Sequence, residues 1–153
     1  MKILVDADSC PKPVRELILR ASKRTKIPVI FAANRQIPGL GEDAVMEICS
    51  AKEGSADRRI VELAVNGDLA VTRDLPLAEQ LVEAKVSVLD DRGRIFTQEN
   101  IKYLRSIRDF SVDLAVNGLD IVRFPNYGKK ELKNFADSLD RELTRLIKMS
   151  SNK

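Results

Sequence analysis

The sequence has no histidine, no tryptophan and only two cysteines, Cys10 and Cys49. Each shortage removes a class of chemistry. Without imidazole the chain has no serine–histidine catalytic pair of its own and no histidine-ligated zinc. Two cysteines are too few for a disulfide framework or a thiolate zinc site, and both read as reduced and structural. Aromatic residues make up 5% of the chain, too few for a broad base-stacking platform. No apolar run approaches the roughly 20 residues that span a bilayer. The start enters the apolar segment Ile3-Leu4-Val5 at once, without the pattern of a secretory leader. A cytoplasmic protein with no membrane segment is expected.

What remains is a charged, soluble type of sequence. Its 153 residues fit one domain, and 44% hydrophobic residues are ample for one buried core. The net charge of +3 is unevenly spread: residues 1–101 carry 15 basic and 16 acidic side chains, and residues 102–153 carry 11 and 7. The basic carboxyl-terminal part suits contact with a polyanion, a partner subunit in a homo-oligomer, or only water.

Hydrophobic patterning alternates strand with helix. Residues 2–6, 29–33, 69–72 and 86–89 read as short apolar strands, and residues 44–49 as either a strand or a helical turn. Pro11 and Pro13 suit a helix start, after which Val14, Leu17, Ile18 and Ala21 recur at helical spacing. Asn34 to Gly41 reads as a loop, Ala56 to Val65 as a helix stopped by Asn66-Gly67, and the region of Leu77, Leu81 and Val82 as another helix. From Thr97 the chain turns helical. Residues 129–148 read as a long amphipathic helix, and 150–153 as a frayed tail. Such alternation predicts an α/β fold with a mostly parallel sheet and helices on both faces.

Ligands of open parallel sheets sit outside the carboxyl ends of the strands. Aspartates stand there: Asp6 and Asp8 after the first strand, Asp74 after a middle one, and Asp90-Asp91 after a later one. Asp57 joins them if its helix starts at the same edge, as a right-handed crossover favours. Gathered carboxylates repel one another unless a cation neutralises them, and magnesium or manganese is the natural hard ion for oxygen ligands. Such an ion polarises a phosphoryl oxygen and lowers the pKa of bound water, so phosphodiester hydrolysis is the chemistry the pattern supports. Each aspartate also has a plainer reading. Asp8 or Ser9 would cap a helix, Asp57 would complement a helix dipole, Asp74 would cap the helix after it, and Asp90-Asp91 before Arg92-Gly93 suits a turn. Asp6 directly follows an apolar strand and is the strongest candidate.

These residues resemble the bacterial YaiI/YqxD family of uncharacterised proteins, which belong with the PIN-like domains. The resemblance runs through nearly the whole chain. It rests on Val5-Asp6-Ala7-Asp8-Ser9-Cys10-Pro11, on Gly54-Ser55-Ala56-Asp57, and on Gly67-Asp68-Leu69-Ala70-Val71-Thr72-Arg73-Asp74-Leu75-Pro76-Leu77-Ala78. Val88-Leu89-Asp90 and Asn134-Phe135-Ala136-Asp137-Ser138-Leu139-Asp140-Arg141 complete it. It implies a PIN-like three-layer α/β/α fold spanning residues 1–149. Active PIN domains are magnesium- or manganese-dependent ribonucleases. Carried onto this chain, their acidic site falls on Asp6, Asp57 and Asp74, with Asp90 as a weaker fourth and Asp8 as an additional ligand. RNA is expected ahead of DNA, with Arg58, Arg59 or Arg73 orienting a phosphate. Before the last helix, where relatives carry a Thr-Gly-Gly-Pro-like stretch, this chain reads Asn117-Gly118-Leu119-Asp120-Ile121-Val122-Arg123-Phe124-Pro125.

Two other readings compete. A non-catalytic RNA- or protein-binding module would keep the fold and use Arg15, Arg20, Lys23, Arg24, Arg58 and Arg59 along a phosphate backbone. A haloacid-dehalogenase-like phosphatase also begins with a strand and Asp-x-Asp, here Asp6 and Asp8. It wants threonine or valine where Cys10 stands, and a lysine for which Arg73 is a poor substitute.

Overall fold

In the computed structural model of the chain, residues 1–41, 44–49, 54–116 and 127–151 are described. The side chains of Ser9 and of residues 108–116 are not. A six-stranded sheet runs in the order β3-β2-β1-β4-β5-β6, with β1 Ile3–Asp6, β2 Val29–Ala33, β3 Ala44–Ile48, β4 Leu69–Val71, β5 Ser87–Leu89 and β6 Ile95–Phe96. The first five strands in chain order are parallel, and only β6 pairs antiparallel, against β5. Helices α1 Lys12–Thr25, α2 Ser55–Leu63, α3 Leu75–Glu83, α4 Gln98–Val116 and α5 Lys129–Ser151 surround the sheet. The result is consistent with a three-layer α/β/α fold.

The layers follow from the two-residue period of the strands. Ile3 and Val5 of β1, Val29 and Phe31 of β2, and Leu69 and Val71 of β4 pack with α1 and α5 on one face. Leu4, Ala70 and Val88 point the other way, onto Ile60 of α2, Leu77 and Leu81 of α3 and Ile101 of α4. Because both faces are covered, the inner strands are mostly apolar, with Asp6 and Ser87 only at strand ends. At the amino-terminal edge, Asp68 is almost fully buried and joins β1 to β4. It accepts hydrogen bonds from the Lys2 ammonium at 2.6 Å, the Lys2 amide at 3.1 Å and the Val65 amide at 2.9 Å.

Several local expectations need adjustment. The undecided segment at 44–49 is an edge strand, β3. Helix α2 ends at Leu63, two residues before the expected Val65, with the Ala64 amide still bonded to the Ile60 carbonyl at 3.0 Å. The strand β6 was not anticipated. The carboxyl-terminal helix continues to Ser151, so Ser150 and Ser151 are helical rather than frayed. Asn152 and Lys153, and the stretch Asn117 to Pro125 where relatives carry glycines, lie outside the described residues. Among the described residues no helix is long and apolar enough to cross a membrane.

A carboxylate-lined crevice as candidate functional site

The sheet order creates one privileged crevice. From β1 the chain builds β2 and β3 to one side, then returns to add β4 and β5 on the other. The connections therefore diverge between β1 and β4, leaving a gap at their carboxyl ends where a ligand can enter. Asp6 is the last residue of β1, and Thr72, Arg73 and Asp74 follow β4 directly. A shallow crevice there is lined by Asp6, Cys10, Val71, Thr72, Arg73 and Asp91.

Asp6 and Thr72 are both buried. The Thr72 hydroxyl donates to Asp6 Oδ2 at 3.1 Å and accepts the Asp74 amide at 3.0 Å. One side chain thus ties the end of β1 to the turn after β4. Asp74 is also the N-cap of α3, its Oδ1 accepting the Leu77 amide at 3.0 Å, with Pro76 in the first helical turn. The capping role and the site role fall on the same carboxylate.

Asp57 sits in the first turn of α2, close enough to Asp74 for a side-chain hydrogen bond. Burial pushes its carboxyl up to about 7, reinforced by the nearby charges of Asp74 and Asp6, the hydrogen bond to Asp74, and the charge of Asp8. Asp57 therefore feels three other aspartates, which come from two separate segments. Asp8 is exposed on a single 3-10 turn, and its carboxylate accepts the Asn34 amide at 3.1 and 3.3 Å. It does not cap α1, whose N-cap position is Pro11. All four present oxygen donors suited to a hard divalent cation. As the side chains stand, no three Asp, Glu or Cys residues among the described ones form a group that could hold a metal ion.

The pair after β5 divides its labour. Asp90 Oδ1 accepts the amides of Arg92 at 2.9 Å and Arg94 at 2.8 Å, which folds the turn between β5 and β6. Asp91, more deeply buried, lines the crevice instead. Its Oδ2 lies 3.7 Å from Arg73 Nε. Burial raises the Asp91 pKa, Arg73 opposes the rise and Asp90 adds to it. Tyr127 donates its hydroxyl to the Asp91 carbonyl at 2.7 Å and lies under the Arg92 guanidinium, 5.7 Å from ring centroid to Cζ. Cys10 is buried beside these groups. Burial pushes its thiol up to about 12 despite Arg15, with Asp91 and Asp6 adding to the rise, which disfavours the thiolate form.

The expected phosphate-orienting arginines are not equivalent. Arg59 is paired with Glu47 at 3.4 Å and Glu62 at 3.2 Å, which ties α2 to the edge strand. Arg58 is exposed in the first turns of α2, and Arg73 is at the crevice itself. Arg24 pairs with Asp140, and Arg15 donates to the Cys10 carbonyl at 2.8 Å. The sequence pattern does not single out Thr72, although it lies within the Thr-Arg-Asp run, nor does it distinguish the crevice-lining Asp91 from Asp90.

Comparison with known proteins gives one consistent result. A family model described as "Uncharacterized BCR, YaiI/YqxD family" matches residues 4–145. A protein of Treponema denticola named only as UPF0178 is 47% identical over 148 residues, covering 97% of this chain and 95% of its own length. A UPF0178 protein of Myxococcus xanthus is 45% identical over 150 residues, covering 97% of each chain. Another from Treponema pallidum is 42% identical over 151 residues, covering 98% of this chain and 85% of its own. No solved structure matches the chain.

Proposed function

The chain belongs to the YaiI/YqxD family, and from that premise we propose that it is a divalent-metal-dependent nuclease acting on RNA in preference to DNA. The observation that carries the reading is the gathering of Asp74, Asp6 and Asp8 around Asp57 at the carboxyl edge of the sheet, where burial first and then their charges lift the Asp57 carboxyl to about 7. Like charges brought together this way are a cost to the fold unless something offsets them. Magnesium or manganese would do so, and when bound would supply Lewis acidity toward a phosphoryl oxygen and an acidified water.

Asp6 and Asp74 are the ligands assigned first, because Thr72 bonds the Asp6 carboxylate and the Asp74 backbone amide, while the Leu77 amide holds the Asp74 carboxylate. Asp8 and Asp57 complete the oxygen set, Asp57 leaving its hydrogen bond with Asp74 as it ionises. Asp90 remains the weaker fourth candidate, since its Oδ1 accepts two turn amides. The reaction class enters through the likeness to PIN-like domains and is an analogy of fold. A haloacid-dehalogenase-like phosphatase is less well supported, because Arg73 takes the place its lysine would need and is paired with Asp91.

The test is manganese titration calorimetry on the wild-type chain, Asp6→Asn and Asp74→Asn, followed by RNA and DNA cleavage with metal present. Binding and cleavage in the wild type, lost in both variants, is the expected result. A wild type that cleaves neither nucleic acid across a range of manganese concentrations overturns the nuclease reading and leaves a non-catalytic binding module.

A further inference from the structure

Arg73 and Asp91 form a unit that the acid cluster does not need. Asp91 is 4% exposed and sits at the end of β5, while the Arg73 side chain is 56% exposed at the end of β4. Their contact runs through Arg73 Nε, and among the described residues neither terminal guanidinium nitrogen makes a hydrogen bond. A planar guanidinium whose inner nitrogen faces a carboxylate at ion-pair distance keeps its outer N–H donors available for a bidentate contact. Asp91 is itself fixed, since Tyr127 holds its carbonyl and the turn behind it is closed by Asp90. The side chain of Arg73 and that of Asp6 line the same crevice.

We propose that Asp91 is a positioning residue that holds Arg73 across the crevice so that its outer donors meet a phosphate of a single RNA strand lying over the acid cluster. The proposal rests on the nuclease reading for the identity of the strand. It assigns Arg73, and not Arg59, as the phosphate-contacting arginine, because Arg59 is already spent on Glu47 and Glu62. It also gives Asp91 a role with an unusual sign. Bulk electrostatics would make removal of an acid favour binding of a polyanion. Positioning makes the same removal unfavourable, since a released arginine must be ordered again by the ligand.

The experiment is fluorescence anisotropy of the full chain with a fluorescein-labelled single-stranded RNA in EDTA at fixed salt. Wild type, Arg73→Ala, Arg73→Lys, Asp91→Asn and the double variant Arg73→Ala/Asp91→Asn are compared. Loss of one charge-assisted phosphate contact weakens binding about tenfold for Arg73→Ala. Asp91→Asn is expected to weaken binding by a similar factor, and the double variant to bind no more weakly than Arg73→Ala alone. Arg73→Lys keeps the charge and the fold but loses the fork, and falls between. Binding by Asp91→Asn that equals or exceeds wild type overturns the proposal, as do additive effects in the double variant or a wild type that binds no RNA. Cleavage is scored separately: coupled losses in EDTA without any metal-dependent cleavage leave the positioning role standing and remove the nuclease.

Discussion

Asp57 and Asp74, both carboxylic acids, lie close enough to share a side-chain hydrogen bond at the carboxyl edge of the sheet. A contact of this kind needs a proton, so it holds only while one partner is neutral. Burial and the neighbouring acids place that proton on Asp57, with its pKa near 7 against an ordinary 3.8. The folded chain therefore binds this proton more tightly than the unfolded chain does. Linkage fixes the sign: the contribution to stability is complete below 3.8 and falls away as pH rises, to nothing above about 7. Melting temperature without metal is expected to decline across that window, and Asp57→Asn to flatten the decline. An unchanged slope in the variant would show that other groups set it.

Asp74 combines two roles that substitution separates. Alanine removes both the carboxylate and the cap on the Leu77 amide, whereas serine keeps a capping oxygen. Asp74→Ala is expected to lose about 1 kcal/mol of stability, and Asp74→Ser only a few tenths. Both should lose manganese binding to the same degree. Retained binding in Asp74→Ser would move the metal-ligand assignment away from this residue.

Thr72 gives a third, sharper comparison. Its hydroxyl is buried and serves Asp6 and the Asp74 amide at once. Thr72→Val preserves the shape while leaving a buried carboxylate oxygen and an amide without that partner, at a cost of about 2 kcal/mol. Thr72→Ser restores the hydroxyl and should recover most of it. Chemical denaturation of the three proteins measures the difference directly; equal stability of valine and threonine forms would mean that other groups satisfy both neighbours.

How far the sequence discloses this arrangement depends on what each residue's neighbours decide. The inner strands are legible because burial on both faces leaves Ile3-Leu4-Val5 and Leu69-Ala70-Val71 apolar throughout. The edge strand β3 pairs only with β2, leaves Val45 and Ile48 exposed, and so carries no clean pattern. β6 is two residues long, too short for any period to show. Asp6 and Asp74 are legible as candidates because each follows an apolar strand. The choice between Asp90 and Asp91 is not, because adjacent residues differ only in which way the turn points them. Nor does sequence separate Arg59 from Arg73: the pairing of Arg59 with Glu47 spans two elements that touch only in the fold.

The same turn makes a last prediction at Gly93. Its φ of +87° lies in the left-handed region that glycine tolerates and other residues resist. A β-carbon placed there would stand 2.5 Å from the Asn134 carbonyl oxygen and 2.8 Å from both its carbon and Ser138 Oγ. Two of these are backbone atoms of α5 and cannot swing aside. The Ser138 hydroxyl moreover donates to the Gly93 carbonyl at 2.7 Å, so helix and turn are locked together at this point. Gly93→Ala must strain the turn or push α5 outward, and is expected to cost about 3 kcal/mol from the combined conformational and packing penalties. Ser138→Ala removes only the hydrogen bond and should cost about 1 kcal/mol. Denaturation midpoints of the two variants test the ranking. If Gly93→Ala proved as stable as wild type, the close approach of α5 to the β5–β6 turn would be wrong.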